Sequence, residues 1–220
     1  MVTPDDSYQM SEDGFGNESL YGHCERKHTK FEVRVTGIAE VDWSIYDTNA
    51  AKLYLYRMPT RMTALSEQME AFAKEEWGNL KFFRMGTLNK AHEIMNTLYR
   101  ILEYESGSTK IDTTAEQAFS QRKGVCQDYA HIMIAFCRYY KIPARYVAGM
   151  MIGEGYSHAW VEIYSNGRWY GFDPTNHLLI DSHYIMMAVG RDSKDCVLNK
   201  GHFYGKGEQN QKIHVSVEEI

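Results

Sequence analysis

Apolar residues recur at helical spacing in three stretches of the chain. After Cys126, Ala130, Ile134 and Cys137 follow at intervals of four, four and three, and Arg138 and Lys141 sit where cations suit the carbonyl pole of a helix. Pro143 cannot continue such a helix, so it is expected to stop after Lys141. Thr63–Trp77 repeats through Leu65, Met69 and Phe72 with Gly78 as a stop, and Thr87 is placed to cap a helix reaching Glu103 along Ala91, Ile94, Leu98 and Leu102. Elsewhere the pattern is that of strands. Ala144–Met151, Ser157–Tyr164 and Arg168–Asp173 read as strands, as do Lys30–Val41, Ala51–Arg57 and Lys212–Val217, with Phe31, Val33 and Val35 on one face and Leu53 and Leu55 on another. Gly201–Gly207 is rich in turn residues, and no internal repeat or low-complexity tract is present.

The strands can be registered on paper. Asn166-Gly167 suits a two-residue type I′ turn, which pairs Ser165 with Arg168. Continuing that register sets Trp160 opposite Asp173 and His158 opposite Thr175, so His158 and Asp173 are diagonal neighbours on one sheet face, about 7–8 Å apart at the backbone. A slip of one residue would separate them. Cys126 opens its predicted helix, where unpaired N–H groups and the helix dipole favour a thiolate, the form of cysteine that attacks carbonyls. Cys126 as nucleophile, His158 as proton shuttle and Asp173 as its orienting carboxylate make a triad for acyl transfer. Gly124 is expected to let the backbone approach the nucleophile closely.

Five segments resemble the transglutaminase-like superfamily, in particular the bacterial branch labelled as cysteine proteases: Gly124-Val125-Cys126-Gln127-Asp128-Tyr129-Ala130-His131, Ile142–Val147, Ser157–Tyr164, Gly171–Asn176 and Ala188–Asp192. With Asp112-Thr113-Thr114, the likeness runs from roughly Leu53 to the C-terminus. It implies an α+β, papain-like transglutaminase-core fold in which a cysteine-bearing helix packs on an antiparallel β-sheet carrying His158 and Asp173. The departure is at the front, where family members commonly carry a longer β-rich region and here only about fifty residues precede the likeness. The expected organisation is a small β-rich region over 1–58 and a catalytic core over 59–220, together one compact unit.

Composition narrows the function. The chain has 220 residues, 44% of them apolar, and a formal charge of −5, so it can bury a core and exerts no broad attraction on nucleic acid or anionic membrane. No apolar run is long enough for a membrane span, and Met1–Leu20 is too polar for a leader, so a cytoplasmic location is expected. Cys126 and Cys137 would lie roughly 16 Å apart on one helix, too far for a disulfide. Cys137 reads as core, Cys24 and Cys196 remain a conceivable pair, and His23, Cys24 and His28 match no zinc spacing, so neither metal nor cofactor is expected.

The reaction that follows is attack of Cys126 on a peptide or isopeptide amide of a peptide or protein substrate, through a thioester, with His158 protonating the departing amine. Water as second substrate gives a peptidase or amidase and an amine acceptor gives a transglutaminase; a non-catalytic binding module is the third reading. Hydrolysis is preferred, because Gly153-Glu154-Gly155 reads as a mobile rim suited to admitting solvent. The oxyanion falls to the Cys126 N–H and one further donor, with Gln121 and Gln127 as candidates. Trp160, on the His158 face, is expected to wall the substrate groove, whereas Trp169, Tyr164 and Tyr170 pack on the sheet. Asp128, His131 and Glu162 are given supporting or solvating roles around the triad.

Overall fold

The computed structural model describes residues 1–4, 7–42, 47–153, 155–208 and 210–219. Glu154, the middle of the expected rim, lies outside them, as do residues 5–6 and 43–46 of the expected 1–58 region. The chain divides into two units, Met1–Val41 and Asp42–Ile220.

In the first unit, β1 (Val2–Thr3) pairs antiparallel with β4 (Glu32–Val33), and β2 (Ser7–Glu12) with β3 (Glu18–His23) in a hairpin that sets Met10 opposite Leu20. The strand expected over Lys30–Val41 shrinks to Glu32–Val33. Phe31, Val33 and Val35 remain more than half exposed, so the alternation exists without a covered face to hold a longer ladder.

In the second unit, turns over 51–54 lead into a 3-10 helix, Leu55–Arg57, where a strand was expected over Ala51–Arg57. What this segment buries is Tyr56, edge-on to Trp169 at 5.2 Å, rather than a Leu53/Leu55 face. Helix α1 (Glu67–Trp77) starts later than Thr63 because Ser66 caps it, accepting the Met69 N–H. α2 (Leu80–Arg84), capped by Asn79, is too short to show a period in sequence. α3 (Thr87–Ile101) has Gly86 at its N-cap, so Thr87 lies within the helix and supplies no cap. β5 (Glu103–Tyr104) pairs parallel with β6 (Lys123–Gly124), and α4 (Ala115–Gln121) lies between them, started by a Thr114/Gln117 capping box. α5 (Cys126–Tyr139) then leads into β7 (Ala144–Met151), β8 (Ser157–Ser165), β9 (Arg168–Asp173), β10 (Leu178–Leu179) and β11 (Tyr184–Gly190). Lys212–Val217 forms no strand, and Ile213 is exposed.

The sheet is antiparallel in the order β10-β9-β8-β7-β11. One face, through Tyr146, Ala148, Ala159, Val161, Ile163 and Phe172, belongs to the main core with α5. The other carries a smaller cluster of Val147, Trp160 and Tyr184. The register of β11 on β7 shifts between Met186 and Ala188, a β-bulge. α5 is more than an amphipathic helix: every residue from Asp128 to Arg138 is buried, because α3 and α4 pack on it as well as the sheet. This is the α+β architecture expected, a cysteine-bearing helix on an antiparallel sheet. No helix among the described residues is long and apolar enough to cross a membrane.

Candidate active site

Cys126 is the first residue of α5, half-buried, after an extended Val125 at the N-cap. Valine offers no capping oxygen, so the turn is tied from the other side. The Asp128 carboxylate accepts the Val125 N–H at 2.9 Å and the Thr109 hydroxyl at 2.6 Å. A Cβ on Gly124 would lie 2.6 Å from the Asp128 Cβ, so the bare glycine serves the packing of Asp128 rather than an approach to the nucleophile. Burial pushes the Asp128 carboxyl pKa up, against the hydrogen bonds from Thr109 and Val125.

The β8–β9 hairpin closes as the sequence predicts. Ser165 pairs with Arg168, and both Asn166 and Gly167 have positive φ, as a type I′ turn demands. His158, near the start of β8, and Asp173, the last residue of β9, meet with Nε2 2.8 Å from Oδ2. His158 is 5% exposed and Asp173 0%. The carboxylate lacks a proton, so Nε2–H donates, and the Cys126 thiol at the head of α5 is close enough to act on the ring's proton affinity. Burial works against the imidazolium, but the bonds and charges of Asp173 and Cys126 outweigh it and raise the His158 pKa to about 10. Asp173 likewise overcomes its burial: His158, the Asn176 backbone and Tyr184 hold its pKa below the usual carboxylate range.

The same acid has partners that the sequence reading overlooked. Asp173 Oδ1 accepts the backbone N–H groups of Thr175 and Asn176 at 2.9 and 3.1 Å, and Oδ2 accepts from Asn176 Nδ2 and the Tyr184 hydroxyl, both at 2.9 Å. The Asn176 contact had a local signal, an amide in the turn three residues after the acid. Tyr184 had none, since it arrives from the opposite edge of the sheet.

Other expected site residues fall elsewhere. Trp160 is 1% exposed, stacked beside His158 with ring centroids 6.5 Å apart, so it is core and not a groove wall. Gln127 is half-buried and donates from Nε2 to the Ile111 carbonyl at 3.4 Å. Gln121 lies with Arg61, Lys110 and Gln117 in a cleft of about 340 Å³. Of the three supporting residues, Asp128 is the one bonded to the start of α5. Burial holds His131 neutral, with a pKa near 3, and its Nε2 accepts the Ser193 N–H. Glu162 pairs with Arg145, whose guanidinium also holds Asp47 and lies over Trp169.

This constellation can be set beside known proteins. Residues 83–174, which include Cys126, His158 and Asp173, match the family model of the transglutaminase-like superfamily. A protein of uncharacterised function from Mycobacterium leprae is 36% identical over 126 residues, 53% of this chain and 45% of that protein, so the chain spans less than half of it. One from Mycobacterium bovis is 30% identical over 241 aligned positions, covering 96% of this chain and 76% of its own. Among solved structures, a candidate cysteine protease from Cytophaga hutchinsonii superposes with a TM-score of 0.67 at 25% identity, over 90% of this chain and 71% of that one. Motif, fold and kinship agree, and the chain belongs to the transglutaminase-like superfamily.

Proposed function

We propose that the chain is a thiol-dependent enzyme that hydrolyses peptide or isopeptide amides, with Cys126 as nucleophile, His158 as proton shuttle and Asp173 as the carboxylate that orients it. The observation that carries this reading is a single buried imidazole bonded to a buried carboxylate and close enough to a thiol at a helix start for that thiol to raise its pKa. Cys126 as thiolate attacks the amide carbonyl, forming the carbon–sulfur bond while the carbonyl pair moves to oxygen. The Cys126 N–H, at the head of α5 and outside its ladder, is the donor assigned to that oxyanion. The oxyanion collapses, the carbon–nitrogen bond breaks, and the His158 imidazolium gives its proton to the leaving amine. Neutral His158 then takes a proton from water, which attacks the thioester and frees the acid and the Cys126 thiolate. Candidate cysteine protease is also the description of the Cytophaga hutchinsonii structure that matches most of this chain.

The experiment is mass spectrometry of a peptide library incubated with the protein, with and without a primary amine at about 1 mM, near the upper end of common Michaelis constants. Amide cleavage that persists with amine present, and vanishes in Cys126→Ala, is the expected result. Predominant amine incorporation would make the chain a transglutaminase with the same three residues in the same roles, and no covalent change in either arm would leave a binding module.

A further inference from the structure

The Asp173 carboxylate carries more donors than a proton relay requires. Its Oδ2 takes His158 Nε2–H at 2.8 Å, and the Asn176 amide and Tyr184 hydroxyl at 2.9 Å each. Tyr184 opens β11, three places from β9 in the sheet, and its phenol reaches the acid past Trp160, whose ring it meets edge-on at 5.5 Å. Gly149, opposite His158 in the register, keeps that passage open, since a Cβ there would lie 2.5 Å from the Trp160 ring. The side chain is 4% exposed, so the contact is built into the interior.

We propose that Tyr184 is a positioning residue for the reaction read above: by sharing the Asp173 oxygen that holds His158, its hydroxyl limits how tightly the acid retains the imidazolium proton. An oxygen divided among three donors gives less electron density to each, and removing one makes it a better acceptor for the others. Without the hydroxyl, His158 keeps its proton to higher pH and yields it less readily to the leaving amine. The charged and titratable groups that bear on the pair are few. His158 meets Asp173 from β9, Cys126 from α5 and the Tyr184 ring from β11, while Tyr184 meets Asp173, Asn176 and the charge of Asp181. A tyrosine that merely filled space would leave the imidazole's proton affinity alone.

The proposal rests on the hydrolase reading for its kinetic half only, and the test separates the two. In the full-length chain, Tyr184→Phe keeps the ring and deletes the hydroxyl. The His158 imidazole is titrated by NMR, its signals assigned by their loss in His158→Gln, and kcat and KM are measured on a peptide that the wild type cleaves. The expected result is a His158 midpoint raised by about half a pH unit, with kcat down roughly tenfold and KM little changed. Asn176→Ala removes an exposed donor to the same oxygen and should move the midpoint the same way, so it decides the matter if Tyr184→Phe does not fold. A midpoint that stays or falls overturns the proposal. The titration needs no turnover, so a wild type that cleaves nothing sinks the hydrolase reading without altering what the midpoint says about Tyr184.

Discussion

Cys126 and Cys137 occupy one helix and differ in everything that governs reactivity. Cys137 is fully buried and its thiol pKa is pushed up to about 12 by that burial, whereas Cys126 is partly open and close enough to His158 to act on the imidazole. Iodoacetamide at neutral pH should therefore modify Cys126 at least about tenfold faster, read by peptide mapping against time. Equal rates would count against Cys126 as the proposed nucleophile. The His158–Asp173 pair carries a second signature, in stability. A histidine whose folded pKa is raised contributes stability that is fully present below its ordinary value of 6.5 and is lost as pH climbs through about 10. The depressed Asp173 contributes above its ordinary 3.8 and loses that contribution as pH falls through its folded value. Asp173→Asn should thus cost most near neutral pH. The gap between its urea midpoint and the wild type's should narrow on going from about pH 6 to about pH 11, and an undiminished gap would count against a charged pair.

At the scale of elements, the first turn of α5 depends on a carboxylate folded back over a glycine. Gly124→Ala forces Asp128 aside, losing its bond to the Val125 N–H and crowding the turn, at a cost of about 2–4 kcal/mol measurable by denaturant unfolding. How far each element could be read from sequence depends on where its reasons lie. The β8–β9 register was legible because Asn166-Gly167 fixes it locally and every later pairing follows by counting. α4 announced itself only through Thr114 and Gln117, a two-residue signal without a long apolar stripe behind it. Alternation over Lys30–Val41 and Lys212–Val217 suggested strands of which the first survives only as Glu32–Val33 and the second does not form, because alternation is a property of a segment and a strand needs a partner. At the candidate site, Cys126, His158 and Asp173 could be placed from a helix start and one hairpin. Trp160 was misjudged because its face, correctly deduced, is covered by Val147 and Tyr184, residues whose proximity no local spacing encodes.

On the scale of the whole molecule, Arg138 ties distant parts of the second unit together. It is buried, and its guanidinium donates to the carbonyls of Tyr56, Ala144 and Arg191 and to the Thr63 hydroxyl. Four acceptors from four stretches of chain converge on a residue whose sequence position suggested only a cation suited to a helix end. Burial lowers its pKa, with the Asp192 charge opposing, yet at about 10 it stays charged at neutral pH. Arg138→Met keeps much of the stem and strands the acceptors, so a loss of about 3 kcal/mol is expected. In a chain of this size that lowers the melting temperature by about 6–12 °C, as circular dichroism would record.

The bulge between Met186 and Ala188 settles a question of parity. In an unbroken strand, residues an even number of places apart share a face, yet Tyr184 sits in the Trp160 cluster while Ala188 packs against the main core, and Val189 returns to the Tyr184 side. The additional residue makes this arrangement consistent, converting odd spacing into common orientation and so aiming the phenol at Asp173. Deleting Met187, a half-exposed side chain, should straighten β11 and force a choice: either Ala188–Gly190 keep their places and Tyr184 turns outward, or the reverse. A tyrosine that becomes accessible to nitration in the deletion variant, and is protected in the wild type, would register the flip. A single surface methionine, distant in sequence from Cys126, His158 and Asp173, thereby acts as the spacer that decides which way an interior hydroxyl faces.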